Sequence, residues 1–395
     1  MLIGFLLNLF GLAGGGGSSS GGGGFSGGGS SDDSSGLSLI GSLISFGVML
    51  LIFLIIFLCD RYRVKKQAIK NSTPENQQII TEAKQIFFDY QDAWSHSDLS
   101  SLQSVMSPEY FKHANLMIEC LKGMNRENRV ENIQLNEVNV ISELNANENI
   151  EVQFNFHVND TLYDISTNER FFSNELSGSE TWVFKKIDDR LILDHIIQPT
   201  ESAEHLVNSI KQFAHEANMF YSADWGRLAL PTAGQIFNPE VLRSADVNNH
   251  TIGKWNNILV QIYTYKYNPE KMGKYYVIGQ LTLPKSYRGI LVTPKTGIVK
   301  SKDQKPPQDY TQYKLEWEDF NRRYNLYAAP GEAVPAFELL DPTFMELLHD
   351  KNPKCCLEVK DNQVIFYTPL KNNLKINDYY TLLEILTAAH KRLER

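Results

Sequence analysis

Three carboxylates crowd one short stretch, where Glu316, Glu318 and Asp319 surround Trp317. Paired carboxylates do acid–base work when their environments push their pKa values apart. The alternation of Glu316 and Glu318 about Trp317 is read more simply as the solvated face of a strand. The 9 histidines are scattered. Ala214-His215-Glu216-Ala217 starts like a zinc-protease helix but lacks the second histidine, and His205 sits too far upstream to supply it. Cys59, Cys120, Cys355 and Cys356 contain no C-x-x-C pair and read as reduced thiols. Walker loops, dinucleotide fingerprints and G-x-S-x-G elbows are absent from the sequence. No catalytic set, metal or cofactor is therefore expected.

A second group of residues suits binding. Phe87, Trp94, Tyr110, Phe111, Phe154, Phe156, Trp182 and Phe184 are candidates to line an apolar pocket for a lipid tail or peptide. The same rings serve equally as core. Arg61, Arg63, Lys65 and Lys66 form a basic cluster suited to anionic lipid headgroups. A net charge of −8 gives no overall nucleic-acid footprint, so nucleic acid is not an expected partner.

The elements that must position these residues follow from periodicity. Ser72-Thr73-Pro74-Glu75 starts a helix whose apolar face runs through Ile79, Ile80, Ala83, Ile86, Phe87, Tyr90 and Trp94. Asp98 and Ser107 cap two further helices, the second stopping near Gly123. The period then becomes 2. Ile150, Val152, Phe154, Phe156 and Val158 alternate with polar residues, and a bulge near Asn136-Glu137 restores the face of the preceding strand. Another strand runs from Glu180 to Lys186 and turns at Asp188-Asp189 into Leu191–Ile197. Three helices followed by a bent antiparallel sheet predict a cone-shaped α+β domain over 72–199. Residues 200–250 read as a connecting helix and hinge. Residues 251–395 read as a second α+β domain, with a hairpin turning at Asp361-Asn362 and a closing helix over 377–395.

Ahead of these domains, residues 36–59 carry no charge and are long enough to cross a bilayer, which predicts a transmembrane helix. Residues 1–13 are apolar but too short to span, and read either as a cleaved signal or as an interfacial anchor. Residues 14–35 form a Gly/Ser-rich linker, and 60–71 a basic juxtamembrane segment. Arg61 is the first Lys or Arg of the chain, which places the N-terminus outside and the body in the cytoplasm.

The segment Ala93-Trp94-Ser95-His96-Ser97-Asp98-Leu99, with Met106-Ser107-Pro108-Glu109-Tyr110-Phe111 and Glu180-x-Trp182-x-Phe184, resembles the Tim-forty-four-like domain. That family comprises the C-terminal domain of a mitochondrial inner-membrane translocase tether and bacterial membrane-anchored relatives. The resemblance implies a fold like nuclear transport factor two, a hydrophobic cavity proposed to take lipid or peptide, and a bacterial inner-membrane location. Lys185 stands where the family often has Arg, and the tether's motor-recruiting region has no counterpart. The Glu316-x-x-Asp319-Phe320-Asn321 and Ala336-Phe337-x-Leu339-Leu340 segments resemble an uncharacterised bacterial family. The expected function is a single-pass, membrane-tethered, non-catalytic binding or scaffold protein with lipid and protein partners. The alternatives are a subunit of a secretion or translocation assembly, or an enzyme that uses His157 with a carboxylate inside the cone.

Overall fold

The computed structural model describes residues 55–59, 61–62, 67, 70–142, 149–197, 208–222, 225–237, 247–267, 274–295, 305–351, 354–370 and 374–394. The chain divides into two compact units, Met1–Lys66 and Gln67–Arg395. In the first, residues 55–59, 61 and 62 are helical, and the Arg61 guanidinium lies 5.2 Å over the Phe57 ring. One expectation is corrected here. Among the described residues no helix is long and apolar enough to cross a membrane. The observed fold is thus a mixture of helices and antiparallel sheets without a transmembrane helix among those residues. Most of the predicted span, with the predicted linker and N-terminal segment, lies outside them.

The second unit begins with three capped helices. The first, α1 (Pro74–Ser95), is capped by Thr73, whose hydroxyl accepts from the Asn76 amide at 3.3 Å, with Pro74 in the first turn. In α2 (Leu99–Val105) and α3 (Pro108–Gly123) the caps are Asp98 and Ser107, as their sequence positions predict. A meander of four antiparallel strands follows: β1 (Arg126–Ser142), β2 (Asn149–Asp164), β3 (Arg170–Ile187) and β4 (Arg190–Ile197). One register shift falls between Leu135 and Glu137, where the out-of-phase apolar residues require it, and a second lies between Glu131 and Gln134. Helix α1 covers the outer edge of β1. Ser95 accepts from the Val130 amide at 2.9 Å, and Asn71 accepts from the Val140 amide at 3.3 Å. Covering an edge strand in this way removes exposed ladder groups that would otherwise recruit another chain.

Beyond α4 (Asn208–Glu216) the chain builds a larger antiparallel sheet. Its path is β5 (Phe220–Ser222), β6 (Val247–Trp255), β7 (Ile258–Tyr267), β8 (Lys274–Pro294), β10 (Tyr324–Ala328) and β9 (Thr311–Tyr313). The long β8 also pairs with β11 (Cys356–Pro369). The segment read as a hairpin is one continuous strand. Asp361 adopts φ 51°, but it serves a bulge opposite Tyr287 rather than a turn. The stretch around Trp317, read as a strand, also differs. Only Thr311–Tyr313 is extended, and α5 (Glu318–Arg323) follows.

This sheet is buried on both faces. Val260, Ile262, Val277, Leu281, Val364 and Phe366 point to one core, shared with α6 (Ala333–Leu339), α7 (Pro342–Lys351) and α8 (Ile376–Leu393). Their sequence neighbours Tyr263, Tyr265, Tyr276, Ile278, Ile365 and Tyr367 point the other way. They belong to the same core as Phe87, Phe154 and Trp182 of the first sheet. A period of 2 thus sends alternate residues to two different cores.

Candidate functional site

The feature that sets this unit apart is the seam where the first sheet and its helices meet the second sheet. Irregular backbone runs through it. Ala229, Leu230, Ile236 and Phe237 are buried, with exposures of 0–3%. Buried backbone polar groups outside secondary structure must find partners. Arg126 Nη1 donates to the carbonyls of Leu228 and Leu230 at 3.1 and 2.6 Å. Gln280 Nε2 donates to the Ala229 carbonyl at 2.9 Å, and the Tyr265 hydroxyl to that of Ile236 at 3.2 Å. The Gln235 amide donates to both oxygens of Glu358, at 3.1 and 2.9 Å. Residues 225–237 therefore form a wedge whose backbone is satisfied by side chains from both halves. The stretch predicted to be a connecting helix and hinge, 200–250, contains this wedge and the first residues of β6.

Charge at the seam follows burial. Burial pulls the Arg126 guanidinium down to about 10. Burial pushes the Glu358 carboxyl up to about 7, against the opposing Gln235 hydrogen bond. Arg227 crosses in the other direction, donating to Asp160 Oδ2 at 2.9 Å while lying 5.1 Å over the Phe172 ring.

Three histidines converge nearby from α3, β4 and β6. The Tyr110 ring stands edge-on to both His113 and His195, at 6.3 and 6.1 Å. His113 stacks on Phe220 of β5 at 5.4 Å. His250 Nε2 lies 2.8 Å from Gln261 Oε1, and Gln261 Nε2 donates to Cys120 Sγ at 3.0 Å. Burial, then the neighbouring His250 and His195, lowers His113 to about 3. Burial lowers His250 to about 4 and raises the Cys120 thiol to about 12. His113, Cys120 and His250 are thus sealed from solvent at the junction of the two halves. Among the described residues no group of three or more His, Cys, Asp or Glu is arranged to hold a metal ion.

An open cleft of about 630 Å³ lies at the far end of β8 and β11, lined by Arg288, Asp309, Glu332, Lys360 and Asp361 among others. Its polar groups tie the wall together. Lys360 Nζ and the Tyr310 hydroxyl donate to the Arg288 carbonyl at 2.7 and 3.4 Å, and the Arg288 amide donates to Glu332 at 2.8 Å. A smaller groove of about 310 Å³ lies between α1 and β1, where Phe88 and Ile133 are flanked by Asp92, His96 and Arg129.

No protein-family model and no curated protein matches this sequence. Two solved structures are similar to parts of it. The mycobacterial trehalose monomycolate transport factor A, TtfA, aligns with a TM-score of 0.33 and 12% identity, over 48% of this chain and 95% of that one. The intermembrane space region of the chloroplast protein ARC6 aligns with a TM-score of 0.26 and 11% identity, over 30% of this chain and 94% of that one. At these values neither likeness carries a fold or a function over to this chain. The resemblance of 72–199 to the Tim-forty-four-like domain rests on its quoted motifs alone.

The predicted binding residues fall into two sets. Phe87, Phe154, Trp182 and Phe184 have 0% exposure. Phe87 stacks on Phe154 at 4.9 Å and meets Trp182 at the same distance. Trp94, Tyr110 and Phe156 are also buried, while Phe111 packs half-buried against them. A ring bordering a space wide enough for water keeps accessible surface, and the first four keep none. Of the basic cluster, Arg61 is exposed, and Arg63, Lys65 and Lys66 lie outside the described residues. His157 sits on the face of β2 opposite Phe154 and Phe156, with Nδ1 2.8 Å from Ser177 Oγ. Glu318 and Asp319 bond to Arg322 in the first turn of α5, and are not brought to either cleft.

Sequence reasoning missed Arg126, Arg227, His113, His250 and Glu358. One signal was present for Glu358. It interrupts an apolar run, Cys355-Cys356-Leu357-Glu358-Val359, that reads as a strand buried on both faces. A carboxylate there must have a partner.

Proposed function

We propose that residues 67–395 act as a non-catalytic binding platform for a protein partner. One observation carries this reading. The strongly perturbed ionisable groups His113, Cys120, Arg126 and His250 are buried in the seam, where they join two halves into one compact unit. Recognition is then left to outward residues, of which Phe88, Val334 and Phe337 are large, apolar and exposed. A photo-crosslinker placed at Phe88 or Phe337 in the full chain tests this in the native cell. A discrete crosslinked protein, competed by the unlabelled chain, supports the proposal. Absence of any saturable crosslink from both positions overturns it.

A further inference from the structure

We propose that His113 and His250 form an acid-sensitive joint, whose protonation parts α3 from the β5–β6 edge of the second sheet before the rest of the unit unfolds. The geometry carries this. Tyr110 joins His113 to His195, and His113 stacks on Phe220 of β5, the strand paired with the β6 that carries His250. Gln261 gives its amide hydrogens to Cys120 and turns Oε1 to His250, so His250 Nε2 carries the proton and donates it. Its Nδ1 is buried with no hydrogen-bond partner among the described residues. A second proton there would be a buried donor and a charge with nothing to accept it. The ring lies against Gly226, where an added Cβ would meet His250 Cδ2 at 3.0 Å.

Among the described residues, the charges on the elements around His250 are already engaged. On α3, Glu119 is held by Lys254 of β6 at 2.9 Å. On β1, Arg126 is itself a buried cation. On β4, Asp194 is held by Lys185 at 2.8 Å. Beside Gly226, Arg227 is held by Asp160. From β7 and β8 come Gln261, Tyr263 and Gln280, which bear no charge near neutrality. The lowered pKa values of His113 and His250 agree with this arrangement. The helical core of the second sheet is separate from the core that holds Tyr110 and Cys120 and against which Phe220 packs.

Hydrogen exchange of the full chain, followed by mass spectrometry from pH 7.5 to 4 with intrinsic rates corrected, tests the joint. Amides of α3 and β5–β6 should lose protection on acidification while α8 and the α8-facing part of β8 retain it. Below about pH 6.5, each histidine that titrates on opening raises the opening constant about tenfold per pH unit. At pH 5, His250→Gln should therefore slow exchange at the joint about tenfold or more relative to the wild type. His113→Phe, which keeps the ring stacked on Phe220, should act in the same direction if His250→Gln does not fold. Loss of protection at α3, β6 and α8 in a single step, or an unshifted transition in the variants that fold, overturns the proposal.

Discussion

Arg126 and Arg227 cross the seam in opposite directions. Arg126, from the first sheet, reaches two backbone carbonyls of the wedge, and Arg227, from the wedge, reaches Asp160 of the first sheet. Both also lie over phenylalanine rings of β3, at 5.0 and 5.1 Å. The two contacts differ in kind. Arg126 is 3% exposed and reaches the buried Leu230 carbonyl, whereas the Arg227–Asp160 pair keeps partial solvent contact.

Replacing the two arginines should therefore have unequal effects. Arg126→Leu strands the buried Leu230 carbonyl and the half-buried Leu228 carbonyl and should cost about 3 kcal/mol. Arg227→Leu should cost about 1 kcal/mol, as expected for a partly screened ion pair. Urea denaturation midpoints at pH 7 measure both. The reverse order would show that the wedge is held by charge pairing instead of by hydrogen bonds to its backbone.

Stability should depend on pH with two opposing slopes. His113 and His250 stay neutral in the fold but protonate below about 6.5 when unfolded. Each therefore removes about 1.4 kcal/mol per pH unit as pH falls from 6.5 towards 4. Glu358 has its folded pKa raised from 4.5 to about 7, so it favours the fold at low pH, and that contribution is lost as pH rises through 7. Between pH 4.5 and 6.5 the net slope should be about 1.4 kcal/mol per unit. Glu358→Gln removes the opposing part and should steepen the slope to about 2.8. An unchanged slope would mean that Glu358 is ionised in the fold throughout.

The aromatic cluster makes a sharp mutational prediction. Phe87→Ala deletes a fully buried ring in contact with Phe154 and Trp182, and should cost about 3–5 kcal/mol. A thermal or chemical melt gives the number. A loss below about 1 kcal/mol would indicate rings that border open space, since no packed neighbours would then be lost.

Gly289 is required for two reasons that can be separated. Its φ of +148° disfavours any Cβ, and an added Cβ would overlap the Tyr310 hydroxyl. Gly289→Ala should cost about 2 kcal/mol or more. Combining it with Tyr310→Ala should recover only the steric share. Full recovery in equilibrium unfolding would show that backbone conformation is not limiting.

Local chemistry was legible in the sequence where it acts locally. Asp98 and Ser107 cap the helices that follow them, because a cap needs only its own next turn. The alternation through Phe154 and Phe156 gave both the strand and its inward face. Asp361-Asn362 misled, since a left-handed residue suits a bulge as well as a turn and only the partner strand decides between them. The wedge was not legible at all. Its Pro231, Thr232, Ala233 and Gly234 have surface-loop composition, and the groups that bury it, Arg126, Gln280 and Glu358, come from distant parts of the chain. The histidine cluster has no spacing signature for the same reason, since His113, His195 and His250 sit on three elements that only the tertiary fold brings together.

The continuity of one core across both sheets has a consequence in time. The first sheet is complete at Ile197, yet Ile365 and Tyr367 of its shared core are made only after every other strand of the second sheet. At about 5–20 residues per second, the nascent first half waits on the order of ten seconds with its seam face open. During that interval the wedge has Arg126 to hold it but not Glu358. Completion of β11 is thus the event that closes the molecule, and a chain truncated before Cys356 would be left with an open apolar face rather than a smaller finished domain.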